Sequence, residues 1–77
     1  MTPQDINRLL ERSPFVPFRL HLTNGQTFEV RHPDFVWVFR SRLLLAVPAS
    51  ENGKVLDHEE HIALLHIARI EELPLAA

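Results

Sequence analysis

The sequence predicts a mainly β fold with an N-terminal α-helix, built as a small five-stranded antiparallel barrel or strongly bent sheet. Three observations point there. Residues Phe18 to Val30, FRLHLTNGQTFEV, are two alternating segments hinged on Asn24-Gly25, the pattern of a hairpin with one apolar face. Two short runs, Phe35 to Arg40 and Leu43 to Val47, carry apolar side chains on both faces, as strands covered on both sides do. The start, Thr2-Pro3-Gln4-Asp5, carries a helix signal.

In that signal Thr2 caps, Pro3 suits the first helical position, and Asp5 places negative charge at the positive end of the helix dipole. Ile6, Leu9 and Leu10 make the apolar stripe. Pro14 disfavours helical geometry at Ser13, so the helix is expected within residues 1–13 and the sheet within 14–77 of a single domain. The segment Pro14 to Phe18 reads as extended, near polyproline geometry, whose three-residue repeat puts Phe15 and Phe18 on one side. These two rings are expected to anchor the helix to the sheet.

A two-residue Asn-Gly loop would set Leu22 opposite Thr27 and Leu20 opposite Glu29, mixing apolar and polar side chains on both faces. A three-residue loop of Asn24, Gly25 and Gln26 removes that conflict. It predicts Leu22 opposite Phe28 and Leu20 opposite Val30, with Gly25 at positive φ in a left-handed bulge. His32-Pro33-Asp34 then interrupts the strand pattern, because proline cannot donate to a central ladder. From Phe35 to Arg40 the pattern resumes, with Phe35, Trp37 and Phe39 on one face and Val36 and Val38 on the other. Ser41-Arg42, a poor two-residue loop, turns the chain either by itself or within a four-residue turn into Leu43 to Val47, which stops at Pro48. Ser50 to Lys54, SENGK, is a second turn signal.

The last third has two readings. Asp57, Glu59 and Glu60 ahead of Ile62, Leu65, Ile70 and Leu73 are compatible with a C-terminal helix, giving an α+β fold. Alternatively, Val55 to Ile62 is a strand, Ala63-Leu64-Leu65 a tight turn and His66 to Leu73 a final strand. The strand reading is preferred, because without it the meander ends on an open edge.

Seventy-seven residues make a domain that hides only about 60% of its unfolded surface when isolated. No cysteine is present to staple it, so self-association is the expected source of added stability. With 45% hydrophobic and 23% charged residues the chain has the content of a folded globule rather than of a disordered segment. A net charge of -2 supplies no global attraction to nucleic acid or anionic membrane. No apolar stretch approaches the roughly 18 residues that span a bilayer, and the chain opens without an export signal. A cytoplasmic location with no membrane partner is the expectation.

The order of a short helix, a hairpin with Asn24-Gly25, a strand from Asp34-Phe35 and a last strand from His66 resembles the Sm-like fold, including the bacterial Hfq RNA chaperones. Leu22 to Phe28 is similar to that family's first-motif hairpin, and Phe35 to Arg40 to the strand that follows it. The likeness implies an RNA-binding ring. Its second motif differs: where those chaperones read RNA with a tyrosine-lysine-histidine run, this chain has Leu64 and Leu65 before His66, and only His66 carries over. The whole chain also resembles a group of uncharacterised small bacterial proteins, through Pro14 to Arg19, Asn24-Gly25 and His32 to Phe35. That likeness implies no activity.

Four constellations bear on function. In the expected register Arg19 faces Arg31, and like charges opposite each other either hold an anion between them or are relieved by splaying into water or by pairing Arg31 with Asp34. Arg19, His21, Arg31, Arg40, Arg42 and His66 are therefore the candidate anion or nucleic-acid residues. His58 and His61 would share a face on a helix and point oppositely on a strand, but their histidine- and carboxylate-rich stretch reads as a solvated turn and the missing cysteines remove the strongest structural-zinc pattern, so no metal or cofactor is assigned. No nucleophile is flanked by a recognisable base, and Ser13, Ser41 and Ser50 each read as turn residues; an enzyme of this size would need a pocket between subunits. Phe35, Trp37 and Phe39 are more aromatic surface than one small sheet and helix cover, which makes them either the lining of a barrel interior or interface candidates. The expected role is a homo-oligomeric binding or assembly module acting through protein surfaces, ahead of an Sm-like RNA-binding ring and of a small enzyme. The chain itself is the first expected partner, another protein the second, and RNA the less favoured.

Overall fold

A computed structural model describes residues 1–50 and 55–74. Helix α1 (Pro3–Leu10) leads into strands β1 (Phe18–Leu22) and β2 (Thr27–Val30), and a 3₁₀ turn at Pro33–Phe35 precedes β3 (Val36–Val38). Strands β4 (Arg42–Pro48) and β5 (Leu56–Ala63) follow, then a second 3₁₀ turn at Leu64–His66 and β6 (Ile67–Glu72). Each strand pairs antiparallel with its neighbours in two three-stranded sheets, ordered β2-β1-β6 and β3-β4-β5.

The mainly β class with one N-terminal helix is as expected, but the five-stranded barrel is not. Six strands form two separate sheets among the described residues. The cause sits at Pro33, whose fixed φ suits the first position of a turn and whose missing N–H removes a ladder donor. Its turn stops β2 at Val30 and delays β3 to Val36. Residues 56–72 form strands joined by the 3₁₀ turn, which overturns the C-terminal helix. The expected turn Ser50 to Lys54 lies, beyond Ser50, outside the described residues.

Helix α1 is shorter than expected, stopping at Leu10 with Glu11 as C-cap. Its start carries a reciprocal cap: Asp5 N–H donates to Thr2 Oγ1 at 3.2 Å while Thr2 N–H donates to Asp5 Oδ2 at 3.0 Å. Phe15 and Phe18 meet as tilted rings 6.1 Å apart, as the extended segment predicts.

The β1–β2 loop has the expected length and the wrong frame. Leu22 N–H donates to Gln26 O at 2.9 Å and Gly25 N–H to Leu22 O at 3.0 Å, so the three loop residues are Thr23, Asn24 and Gly25. Gly25 has φ 90°, and in this loop type the left-handed residue comes third, after a type I turn. Only glycine takes that backbone without a steric cost, so the loop must begin at Thr23. Leu20 therefore faces Phe28 and Phe18 faces Val30. A displacement of two residues leaves the apolar faces intact and changes every cross-strand partner. The β3–β4 connection is not the two-residue Ser41-Arg42 loop: Phe39 N–H donates to Arg42 O at 2.8 Å, a four-residue turn from Phe39 to Arg42 with Arg40 and Ser41 at its tip.

One apolar cluster draws on both sheets. Phe18, Leu20, Val30 and Ile67 come from the first, Val36, Leu43, Leu45 and Ile62 from the second, with Ile6 from α1 and Leu64 from the second 3₁₀ turn. Leu22 and Phe28 pack at its margin, on the same side although not opposite each other. The second 3₁₀ turn joins the sheets and is bonded to each of them, Thr23 N–H donating to His66 O beside the β1–β6 pairing and Leu64 N–H to Ser41 O beside the β4–β5 pairing, both at 2.9 Å.

Leu43 is fully buried, so Leu43→Ala is expected to lower unfolding free energy by about 2–5 kcal/mol in urea denaturation. Gly25→Ala is expected to cost only about 1–2 kcal/mol, the steric penalty of a left-handed backbone. A Cβ there meets no atom within 4 Å, so its cost is conformational and the denaturant midpoint should fall without loss of the fold.

Candidate functional site

Alternation along β1, β2 and β6 decides what the first sheet shows to water. With Phe18, Leu20 and Val30 turned into the core, Arg19, His21, Glu29, Arg69 and Glu71 share the outer face. Arg19 lies between Glu29 on one neighbour and Glu71 on the other. Its guanidinium donates to Glu29 Oε2 at 2.8 Å and to Glu71 Oε1 at 3.2 Å. Arg31 donates to Glu29 Oε1 at 2.7 Å. The expected Arg19–Arg31 opposition is thus replaced by two arginines sharing one glutamate, because the loop begins one residue earlier than expected.

His21 completes this network. Its Nε2 lies 2.9 Å from Glu71 Oε1 and 3.1 Å from Arg69 Nη2, and one nitrogen fills one role at a time. Carrying a proton it donates to Glu71; without one it accepts from Arg69. The hydrogen bond from His21, with the charges of Arg19 and Arg69 behind it, holds the Glu71 carboxyl below its ordinary range. The hydrogen bond from Arg19, helped by Arg31, does the same for Glu29, and Glu29 in turn raises Arg19. Arg19, His21 and Arg31 are brought together as expected, but with acidic partners in place of a vacancy for an anion. Arg69 and Glu71 were not among the candidates, since only the long-range pairing of β6 with β1 brings them here.

The remaining candidates are scattered. His66 ends the second 3₁₀ turn and, with His61, Thr23, Asn24 and Gln26, borders a groove of about 290 Å³. His58 is held by its own neighbours, 2.7 Å from Asp57 Oδ2 and 2.9 Å from Glu60 Oε2. Those carboxylates, Asp57 foremost, raise its pKa above the usual imidazole value. His61 pairs across to Leu44, whereas Glu60 and Ile62 pair to the core residues Leu45 and Leu43, so His58 and His61 fall on opposite faces of β5. Among the described residues no group of three or more metal-binding side chains converges.

The second sheet presents a different outer face. Val36, Leu43, Leu45 and Ile62 point into the core, which leaves Trp37, Phe39, Arg42, Leu44, Glu59 and His61 outward. Trp37 is 48% and Phe39 45% exposed. Arg42 stacks its guanidinium over the Phe39 ring at 4.9 Å, a cation–π contact that fixes its direction on the surface. Trp37, Leu44, Ala46, Leu56 and Asp57 line a shallow groove of about 280 Å³ on this face. Phe35 does not join the aromatic row. It belongs to the first 3₁₀ turn, sits edge-on to His32 at 5.3 Å, and lines a separate cavity of about 310 Å³ with Arg31, Leu45, Val47 and Pro48.

No family model, curated protein or solved structure matches this chain.

The outer network of the first sheet sets a pH dependence. Glu29 and Glu71 bind protons less readily folded than unfolded, so their contribution to stability is complete above the ordinary glutamate range and is lost as pH falls through the folded values. The two side chains are 33% and 40% exposed, which keeps the effect modest. Urea midpoints measured from pH 6 to pH 3 are expected to fall, and Glu29→Gln with Glu71→Gln to flatten the slope. His58 has the opposite sign: its contribution is complete below the unfolded imidazole value and fades as pH rises through the raised folded one.

Proposed function

We propose that this protein is a homo-oligomeric binding or assembly module that works through protein surfaces, with the outer face of β3-β4-β5 as its contact surface. The exposure of Trp37 on β3 and of Phe39 just beyond the end of that strand carries this reading. An aromatic side chain presents about 150–250 Å², so hiding the exposed half of each ring at about 25 cal/mol/Å² would contribute roughly 2–3 kcal/mol per ring. Aromatic residues at this density are typical of interface centres. The small size of the domain supports the same reading, since association adds buried surface that one short core does not provide. The order of helix, Asn-Gly hairpin and last strand returning to β1 supports kinship with the Sm-like and SH3-like arrangement, whose members include assembling proteins.

A second reading, RNA binding, draws support from Arg40 and Arg42 beside the exposed rings, since single-stranded nucleic acids are held by cations next to stacking aromatics. The paired state of Arg19 and Arg31 counts against a wider basic surface.

Sedimentation velocity from about 1 to 200 μM, a range set by weak contacts of this size, tests the first reading. The expected result is a mass that rises with concentration in the native protein and stays at one chain in Trp37→Ser. A native protein at monomer mass throughout refutes it. The second reading requires anisotropy of a labelled single-stranded RNA to rise at low salt, to fall as salt is added, and to vanish in Arg40→Glu with Arg42→Glu.

A further inference from the structure

We infer that the partner of this face is a second copy of the chain, docked about a twofold axis that runs across the strands, so that the arginine end of each face meets the acidic end of the other. The inference rests on the reading of β3-β4-β5 as the contact surface of a homo-oligomer and adds the number of copies, the symmetry and the charge pairs.

The face is polar along its length. Register places Phe39 and Arg42 in one row, Trp37, Leu44 and His61 in the next, and Ala46 with Glu59 beyond them. Arg40 extends the first end at the turn tip, and Asp57 extends the other at the groove. Four residues separate Arg42 from Ala46 along β4, a span of about 13 Å. One end is cationic, the other anionic, and the centre is apolar.

Three of these charges stand outside the ion pairs among the described residues, whereas Asp57 pairs with His58 at 2.7 Å. Arg8, Arg12, Arg19, Arg31 and Arg69 each hold a carboxylate. Among the described residues, Arg40, Arg42 and Glu59 form no such pair. Arg42 is instead held over Phe39 with its guanidinium edge free to donate.

Two identical faces stack in only two simple twofold ways. An axis along the strands lays cationic end on cationic end, which is repulsive. An axis across the strands reverses one copy, bringing Arg42 to the row of Ala46 and Glu59 in the other, twice by symmetry. Trp37 and Leu44 then meet their own counterparts near the axis, and Phe39 lies toward the groove of the second copy. Aligned sheets pack about 10 Å apart, within the combined reach of an arginine and a glutamate. The charge order thus selects one packing and closes the assembly at two.

Sedimentation equilibrium, followed together with the emission of Trp37, the chain's single tryptophan, tests this. Native protein is expected to pass from one chain to two and no further, with a blue shift in emission. Arg42→Glu and Glu59→Arg alter exposed side chains, so each should keep its circular dichroism and weaken the dimer at least about tenfold through like-charge contact. An equimolar mixture of the two variants should recover the dimer, because each contact in the mixed pair again joins opposite charges. The double variant should recover it too. If native protein associates and Trp37→Ser abolishes it, but the charge reversals have no effect or the mixture does not recover, the twofold docking is overturned while the assembly reading stands. Growth beyond two chains also overturns the docking. Monomer mass throughout overturns both.

Discussion

Gly25 is the constraint on which the molecule's surface depends. A three-residue loop that ends in a left-handed backbone can start only where glycine fills its third position, and with φ at 90° that residue is Gly25. The loop therefore spans Thr23 to Gly25, with Asn24 Oδ1 accepting from Gln26 N–H at 2.9 Å to brace the turn. From there each cross-strand partner follows: Leu20 on Phe28 inside and Arg19 on Glu29 outside. Had the frame fallen one residue later, the core would have kept its parity while Arg19 met Arg31. Strand alternation thus decides what is buried, and the backbone of one glycine decides which charges meet.

The same economy of elements explains why the two outer faces differ. The first sheet answers its own charges, with Arg19, Arg31, Arg69 and His21 arrayed around Glu29 and Glu71. Its surface is complete without a partner. The helix packs its Ile6, Leu9 and Leu10 against the shared cluster, on the core side of both sheets. Nothing among the described residues is left to cover Trp37 and Phe39. A chain of this size has one helix to place, and using it inside leaves the second sheet half solvated.

Much of this was legible in the sequence. Thr2, Pro3 and Asp5 mark the helix start by chemistry confined to one turn, and the alternation of Phe18, Leu20 and Leu22 with Arg19 and His21 fixes the buried face. Val36 and Val38 separate from Trp37 and Phe39 by the same rule. The harder part was wherever a property depends on a distant partner. Arg69 and Glu71 have no local signal, because β6 reaches β1 across about fifty positions of sequence. Phe35 matched the strand alternation yet falls in a 3₁₀ turn, since Pro33 sets the backbone of the residues after it. The helix stopped three residues before Ser13 because the prohibition at Pro14 gives an upper bound and no more. The expected opposition of Arg19 and Arg31 does not form, because a shift in loop frame is silent in hydrophobic pattern.

Strand β5 borders its sheet along all eight residues, offering unsatisfied amide and carbonyl groups to any extended chain that drifts alongside. Its composition opposes that. Asp57, Glu59 and Glu60 crowd half of the strand with negative charge, so two such margins repel before they zip together, a common safeguard against fibril growth. Resistance to forming cross-β fibres thus lies in the side chains of one margin rather than in the shape of the sheet.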